Sequence, residues 1–165
     1  MARKKSKVME GPSWAIYPDL HDEVADKLEE FQLDYSFNPN DDEIAKVRDY
    51  DTNIMGHFTC NNEKCKKKGW PTKKMAITIR EYTRDRYNAR VYFQRCMRCK
   101  TLGQPTLDEE SYIERVAYRI KKWNGVEMEE PFHSGSSKGP HESALCEGCI
   151  NGHCSQGVER RYVLA

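Results

Sequence analysis

The sequence predicts an α+β fold in which a small antiparallel β-sheet, built around a hairpin, carries an N-terminal amphipathic helix and a second helix packed on the sheet. Three observations support this prediction. Two segments rich in β-branched and aromatic residues flank a polar turn, two others place apolar residues at helical spacing, and seven cysteines occur mostly in close pairs. Only 38% of the residues are hydrophobic and 32% are charged, so something besides a large apolar core must stabilise the fold.

The N-terminal part of the chain is predicted to be helical and acidic. Basic residues and a Gly-Pro pair are typical of a disordered arm over 1–13, and an acidic helical segment follows over 14–53. Within it we expect one helix over 19–33, which Asn and Pro residues end at 38–41. Its apolar stripe consists of Leu20, Val24, Leu28 and Phe31. The apolar residues of 44–47 fit either a helical turn or a strand.

The central part of the chain predicts the hairpin and the second helix. Residues 75–81 (MAITIRE) and 89–95 (ARVYFQR) read as antiparallel strands around the turn-like TRDRYN. Thr106 and Glu109 have the spacing of a capping box, and a helix over 109–123 is expected after them, with Asp108 as the alternative cap. One stripe of this helix should pack on the sheet: Ile113, Val116, Ala117 and Ile120.

The cysteines predict metal binding. Two of them are spaced C-x4-C, two further pairs are C-x2-C, and the seventh follows the last pair after four residues. Short spacers of this kind let one turn present two thiolates to a tetrahedral Zn²⁺ ion. An odd number of thiols does not close a disulfide framework, and a thioredoxin-like redox pair would need a βαβ setting that the pattern does not contain. The predicted fold is therefore a zinc-stabilised sheet.

Two zinc ions are expected, because seven thiolates and one histidine supply two sets of four ligands. His141, five residues before a C-x2-C pair, is the best eighth ligand, and His57 and His153 are weaker alternatives. The hairpin should bring the first two pairs together, although an interleaved arrangement remains the rival. The predicted sets are Cys60, Cys65, Cys96 and Cys99 for one ion, and His141, Cys146, Cys149 and Cys154 for the other.

These motifs resemble the 3CxxC-type zinc-finger family, which includes the receptor-transporting proteins and the zygote arrest proteins. The similarity spans about residues 54–154, followed by a short tail at 155–165. Its most specific residues are Phe93, Gln94, Arg95, Cys96 and Cys99, and the closing Gly139, Pro140, His141, Cys146, Glu147, Cys149, Gly152 and Cys154. The resemblance implies a β-rich zinc-binding module and, among relatives, either receptor trafficking or RNA binding.

Two features of this chain depart from that family pattern. The first pair is C-x4-C where the family usually has C-x2-C. Receptor-transporting proteins end in a membrane anchor, whereas this chain stops eleven residues after Cys154. We therefore expect a short soluble member that looks like those of fungi, and not a receptor chaperone.

The charge distribution predicts nucleic-acid binding. The formal net charge is +1, yet residues 60–100 hold thirteen Lys and Arg against three acids, a net +10, and the rest of the chain carries −9. Such a stretch suits phosphate contacts, and aromatic residues at 70, 82, 87 and 92 could offer stacking faces, although core packing is favoured for Trp70. The candidate RNA contacts are Lys64, Lys66, Lys67, Lys68, Lys73, Lys74, Arg84, Arg86, Arg95 and Arg98. A merely solvated surface is the alternative.

Several other functions are disfavoured by the sequence. Two fully ligated zinc sites leave no open coordination position, and no Gly-rich phosphate loop, G-x-S-x-G or H-E-x-x-H occurs, so we do not expect an enzyme or a small-molecule substrate. No apolar run of ~18 residues is present, so membrane insertion is not expected. No secretory signal is visible in the sequence, so we expect an intracellular location, cytoplasmic or nuclear, where clustered thiols favour metal over disulfides. The alternative function is a zinc-stabilised protein-interaction adaptor or a trafficking chaperone without an anchor, using the helix at 109–123 or the acidic segment at 19–51.

Overall fold

A computed structural model describes residues 11–128 and 143–153. Most of the predicted basic arm, the predicted ligands His141 and Cys154, and the predicted tail lie outside these residues. Nine α-helices and β-strands are found in the described part of the chain: β1 (Trp14–Ile16), α1 (His21–Glu29), β2 (Ser36–Phe37), β3 (Arg48–Cys60), β4 (Gly69–Tyr82), β5 (Arg86–Tyr92), β6 (Gly103–Leu107), α2 (Glu109–Trp123) and α3 (Glu147–Ile150).

The strands form one curled sheet, and the predicted α+β class is confirmed. Its strand order is β1-β5-β4-β3-β6, with antiparallel neighbours, and β2 adds a short parallel pairing to β5. The predicted hairpin is β4 and β5, joined at residues 83–85, where Arg84 and Asp85 adopt left-handed backbone angles of 63° and 51° in φ. Because β1 and β2 both pair with β5, the N-terminal segment belongs to the same sheet.

The apolar face of the sheet packs against the two long helices. Alternate residues of β4 and β5, such as Ile77, Ile79 and Val91, are fully buried there. Leu20, the N-cap residue of α1, belongs to the same core, and the two helices contribute Val24, Leu28, Tyr112, Val116, Ala117 and Ile120. The predicted helical stripes are thus mostly buried, although Phe31 lies beyond the end of α1 and is 39% exposed.

Helix α2 has the predicted bounds but a different cap from the predicted capping box. Asp108 is the N-cap, and its side chain accepts a hydrogen bond from the Ser111 N–H at 3.1 Å. Thr106 belongs to β6 and pairs with His57, so it cannot cap the helix. Strand β6 therefore continues two residues further than the capping-box pattern indicated, to Leu107, and Asp108 caps the helix instead.

The opposite face of the sheet is polar and is covered by two segments that are distant in sequence. Arg80 and Arg90 of this face contact Asp41, and Arg90 also contacts Glu43. Residues 143–153 cover the rest of this face, where Cys146 packs on Tyr92 and Ala76. The helical turn or strand allowed for residues 44–47 is instead an exposed bend, because its apolar side chains do not reach either face.

Strand β3 has thirteen residues, and the sequence patterns did not predict it. Thr52, Ile54 and Phe58 are buried, whereas Asp51 on the other side accepts a hydrogen bond from the Thr78 hydroxyl at 2.6 Å. Because polar residues such as Thr52 occupy buried positions of this strand, its sequence does not show the alternation of apolar and polar residues that is typical of a strand. The strand pairs with β4 along nearly its whole length and ends at the first cysteine.

Candidate metal centre

The cysteines predicted to hold the first zinc ion come together at one end of the sheet. The Sγ atoms of Cys60 and Cys99 are 3.5 Å apart, and those of Cys65 and Cys96 are 3.8 Å apart. All four Sγ atoms lie within 4.8 Å of one another. Thiolates about 2.3 Å from a tetrahedral Zn²⁺ are separated by about 3.8 Å from one another. This group of four therefore fits the chemistry and the size of a structural zinc site.

The first pair of thiols is placed by the end of β3 and the turn that follows it. The N–H of Cys60 donates to the Lys68 carbonyl at 2.9 Å, which holds the base of the loop closed. Within the loop, the N–H of Cys65 donates to the Asn62 carbonyl at 2.9 Å. The longer C-x4-C spacing is thus accommodated by a hydrogen-bonded turn.

The second pair lies on a tight turn after β5. Cys96 donates its N–H to the Thr101 carbonyl and accepts the N–H of Lys100, both at 2.9 Å. Lys100 has a φ of 61°, a left-handed conformation that L-residues other than Gly, Asn and Asp rarely adopt. The turn exposes the side chain of Met97 while Cys96 stays buried. The hairpin of β4 and β5 returns this turn to the end of β3, as the sequence predicted.

The electrostatics of the four thiols favour a cation between them. Burial and the neighbouring thiols raise the pKa of Cys60 to about 12. Hydrogen bonds from the Thr101 side chain and backbone lower the pKa of Cys99 to about 6. Four thiolates this close repel one another, so some of the thiols keep their protons unless a cation compensates the charge. Zn²⁺ supplies that charge and displaces the protons.

An aromatic pair lies on β3 and β4, two residues before Cys60 on β3. The rings of Phe58 and Trp70 stack with centroids 5.4 Å apart, and the Trp70 indole N–H donates to the Gln94 side chain at 3.0 Å. Gly103 passes so close that a Cβ at its position would lie 2.8 Å from the Trp70 ring. Trp70 therefore packs on the core, as the sequence favoured, and does not offer a free stacking face.

The third cysteine pair lies on a separate, short element. Cys146 is buried at the N-cap of α3, and its Sγ accepts the Cys149 N–H at 3.5 Å. The element docks on the strand end, because Glu147 donates its N–H to Phe93 and Arg95 donates its N–H to Leu145. The stretch from Phe93 to Cys99 is consequently the connection between the two cysteine groups.

The remaining predicted ligands of the second site cannot be placed, since His141 and Cys154 lie outside the described residues. Of the weaker alternatives, His57 is exposed on β3. His153 stacks on Tyr92 and lies 3.3 Å from Asp51 and 3.7 Å from Glu43. Within residues 11–128 and 143–153, neither histidine joins the four-cysteine group.

The candidate RNA contacts divide between the two ends of the hairpin. Around the metal centre lie the cations of the loop after β3, the start of β4 and the turn after β5: Lys64, Lys66, Lys67, Lys68, Lys73, Lys74, Arg95 and Arg98. Arg84 and Arg86 lie at the other end of β4, roughly 40 Å away along the strand. Arg95 forms an ion pair with Glu147 at 2.8 Å. The ten candidate residues thus do not form one compact site.

The tyrosines considered as stacking faces are in the protein interior. Tyr87 is fully buried, and Tyr82 and Tyr92 are 2% and 1% exposed. Alternation along β4 and β5 places each ring under a helix or under a covering segment, which the local sequence does not reveal. Sequence analysis also missed Thr101, whose hydroxyl supports the Cys99 thiolate. Its position just after the C-x2-C pair is the one available signal.

The family comparison agrees with this geometry. Residues 53–152 match the model of the 3CxxC zinc ribbon, a zinc-binding domain. The chain belongs to the 3CxxC zinc-ribbon family. The match begins within β3 and ends after α3, so it includes all six described cysteines, none of which is in a disulfide. No curated protein and no solved structure matches the chain significantly.

Family membership and the four-cysteine group together establish a zinc-binding module. The ligands of the metal centre are provided by two turns that the hairpin of the 3CxxC domain brings together. None of the helices in the described ranges is both long and apolar enough to cross a membrane.

Proposed function

We propose that this protein binds single-stranded nucleic acid, RNA in particular, through the cations around a structural zinc centre. The observation that carries the proposal is the contrast between paired and unpaired cations. Arg80 and Arg90 are neutralised inside the protein by Asp41 and Glu43. Among the described residues, no carboxylate pairs with the following cations at the metal end: Lys64, Lys66, Lys67, Lys68, Lys74 and Arg98.

These cations exceed what the zinc centre itself needs. One Zn²⁺ and four thiolates carry a net charge of −2, and nearby lysines help to balance it. Residues 60–74 alone contain six lysines and a single acid, Glu63. A positive surplus therefore remains after the metal centre is balanced, on a rigid loop held at both ends. Such a surface suits phosphates.

The proposed role is binding and not catalysis. Four thiolates complete the coordination of the ion and leave no position for water or substrate. The reduced thiols suit an intracellular location, cytoplasmic or nuclear. With Tyr82, Tyr87 and Tyr92 buried, contacts at this end fall mainly on phosphates, and little sequence preference is expected.

Two zinc ions per chain form part of the proposal. The second would be held by His141, Cys146, Cys149 and Cys154, since the described pair of this set already has the N–H to Sγ hydrogen bond of a thiolate turn. Elemental analysis should give two zinc ions for the parent and one for Cys146→Ser. One ion per parent chain would contradict the two-site arrangement.

The nucleic-acid proposal is tested by salt-dependent binding. Affinity for a single-stranded RNA should fall with salt, and Lys66→Ala with Lys68→Ala should weaken binding about tenfold and reduce the log–log slope by roughly 1.4, since each phosphate contributes roughly 0.7. Lys27→Ala with Lys121→Ala removes the same charge from the helical layer and should leave the slope unchanged. No RNA binding by the parent at low salt would overturn the proposal.

A protein-interaction adaptor is the second candidate, favoured by apolar side chains in the acidic segment that are left in solvent. Ile44 is 95% exposed and Val47 is 57% exposed. If RNA does not bind, Ile44→Ser with Val47→Ser should abolish binding to a captured protein partner without lowering the melting temperature.

A further inference from the structure

The outer side of α2 carries a row of cations that the sequence analysis did not consider. Arg115, Arg119 and Lys122 follow one another at spacings of four and three residues, which places them on one face of the helix. No acidic residue occurs between positions 115 and 123, although Glu114 adjoins the row. The end of α2 is therefore a positive ridge.

Two tyrosines lie among these cations. The Arg119 guanidinium carbon is 3.3 Å from the centroid of Tyr50 on β3 and 5.9 Å from that of Tyr118. The Lys122 ammonium lies 5.7 Å from the Tyr118 ring centroid. Tyr50 is 40% exposed, in contrast to the buried tyrosines of the hairpin. Cations and partly exposed rings thus lie side by side on one surface.

Two cations of this ridge, Arg119 and Lys122, have aromatic rings as neighbours. In the described part of the chain, neither Arg119 nor Lys122 forms an ion pair or donates a side-chain hydrogen bond. Stacking on Tyr50 covers one face of the Arg119 guanidinium, and the Nε atom is buried without a partner. A guanidinium held against an aromatic ring is restricted in its conformations, and the N–H groups on its two terminal nitrogens are left to donate to phosphate.

We propose that Tyr50, Arg115, Tyr118, Arg119 and Lys122 form a second contact surface for single-stranded nucleic acid. The cations bind phosphates, and the Tyr118 ring stacks with a base. Alternating cations and aromatic rings are typical of single-strand surfaces and supply the stacking that the metal end lacks. The inference extends the proposed function, because the same class of ligand contacts both surfaces.

The two surfaces lie toward opposite ends of β3. Tyr50 and Cys60 are separated by ten residues of this strand, up to about 33 Å. A short oligonucleotide therefore occupies one surface at a time, whereas a longer strand reaches both and gains affinity from the second, intramolecular contact.

The test measures binding of oligouridine of about six and about twenty nucleotides to the full-length zinc-loaded protein. Arg119→Ala with Lys122→Ala should remove most of the affinity gain of the longer strand and lower its salt slope by roughly 1.4. Tyr118→Ala should weaken binding severalfold without changing that slope, and Tyr118→Phe should restore it. Lys27→Ala with Lys121→Ala is the charge-matched control, and thermal melting checks that each variant folds.

The outcomes separate this inference from the proposed function. The ridge variant is the double substitution Arg119→Ala with Lys122→Ala. If it binds both oligonucleotides like the parent while Lys66→Ala with Lys68→Ala weakens RNA binding, the proposal of a second surface is wrong and the proposed function stands. If the parent binds neither strand, both proposals fail. If the ridge variant loses binding to polyglutamate but keeps its affinity for oligouridine, the surface recognises acidic protein and the inference is overturned.

Discussion

The polar face of the sheet and the metal end use the positive charge of one stretch of chain in opposite ways. On the polar face, Arg80 is 1% exposed and lies against Asp41 and Asn88. At the metal end, Lys66 and Lys68 are exposed in a loop. The net charge of +10 over residues 60–100 is therefore not one surface, because some of the cations are buried in ion pairs and others are exposed to a ligand.

The physical reason is the cost of burying charge. A guanidinium removed from water requires a carboxylate partner and further hydrogen bonds, so the buried arginines must recruit acids from elsewhere in the chain. Asp41 and Glu43 supply them from positions that lie between 39 and 49 residues earlier in the chain. The acidic N-terminal segment therefore neutralises the polar face and leaves the lysines of the metal end unmatched.

The largest effect is expected at the metal centre. Cys96→Ser should lose the zinc ion of this site and unfold the metal end, because structural zinc contributes apparent binding energies of order 10 kcal/mol. Elemental analysis and thermal melting would measure the loss. Met97→Ser, in the same turn but 55% exposed, should keep both zinc content and melting temperature. Equal zinc content in both variants would contradict the assignment.

The next largest effect should come from a buried arginine. Arg80→Met leaves Asp41 with one of its two guanidinium partners and should lower the free energy of unfolding by about 3 to 5 kcal/mol. Urea denaturation of the zinc-loaded protein would measure the change. A loss below 1 kcal/mol would mean that this ion pair does not hold the polar face together.

The pH dependence of stability should reveal the same pair. Burial opposes ionisation of Asp41, but hydrogen bonds from Arg80 and Arg90 outweigh it and lower the pKa of the carboxyl group. The stabilisation that ionised Asp41 provides is therefore fully present above its pKa in the unfolded chain, about 3.9. It is lost as pH falls through the lower pKa of the folded protein. Asp41→Asn should cost about 2 kcal/mol at pH 7 and flatten the acid side of the stability profile. An unchanged acid limb would contradict this.

The smallest effect is expected from the lysines. Lys66→Met should change the free energy of unfolding by no more than about 0.5 kcal/mol, because an exposed cation without a carboxylate partner contributes little to stability. Competition with a zinc chelator would show whether metal affinity is also unchanged. A marked loss of affinity would indicate that this lysine balances the thiolate charge and is not reserved for a ligand.

The sequence by itself determined the four-cysteine group, the hairpin and the bounds of α2. Each depends on a local pattern: the spacing of Cys96 and Cys99 lets one turn present both thiolates, and the apolar stripe of α2 repeats within four turns. The hairpin then brings the two cysteine pairs together, because antiparallel strands return the chain to its starting end.

Only the tertiary structure decided which strands join that hairpin and which side chains remain accessible. Strand β3 was not predicted because its polar residues are stabilised by contacts with distant parts of the chain. Asp51, for example, accepts a hydrogen bond from Thr78 on β4. Arginine and tyrosine are typical of nucleic-acid-binding surfaces, yet Arg80 and Tyr87 are buried, whereas Tyr50 is exposed beside α2. Burial depends on segments far away in the chain, and local sequence does not contain that information.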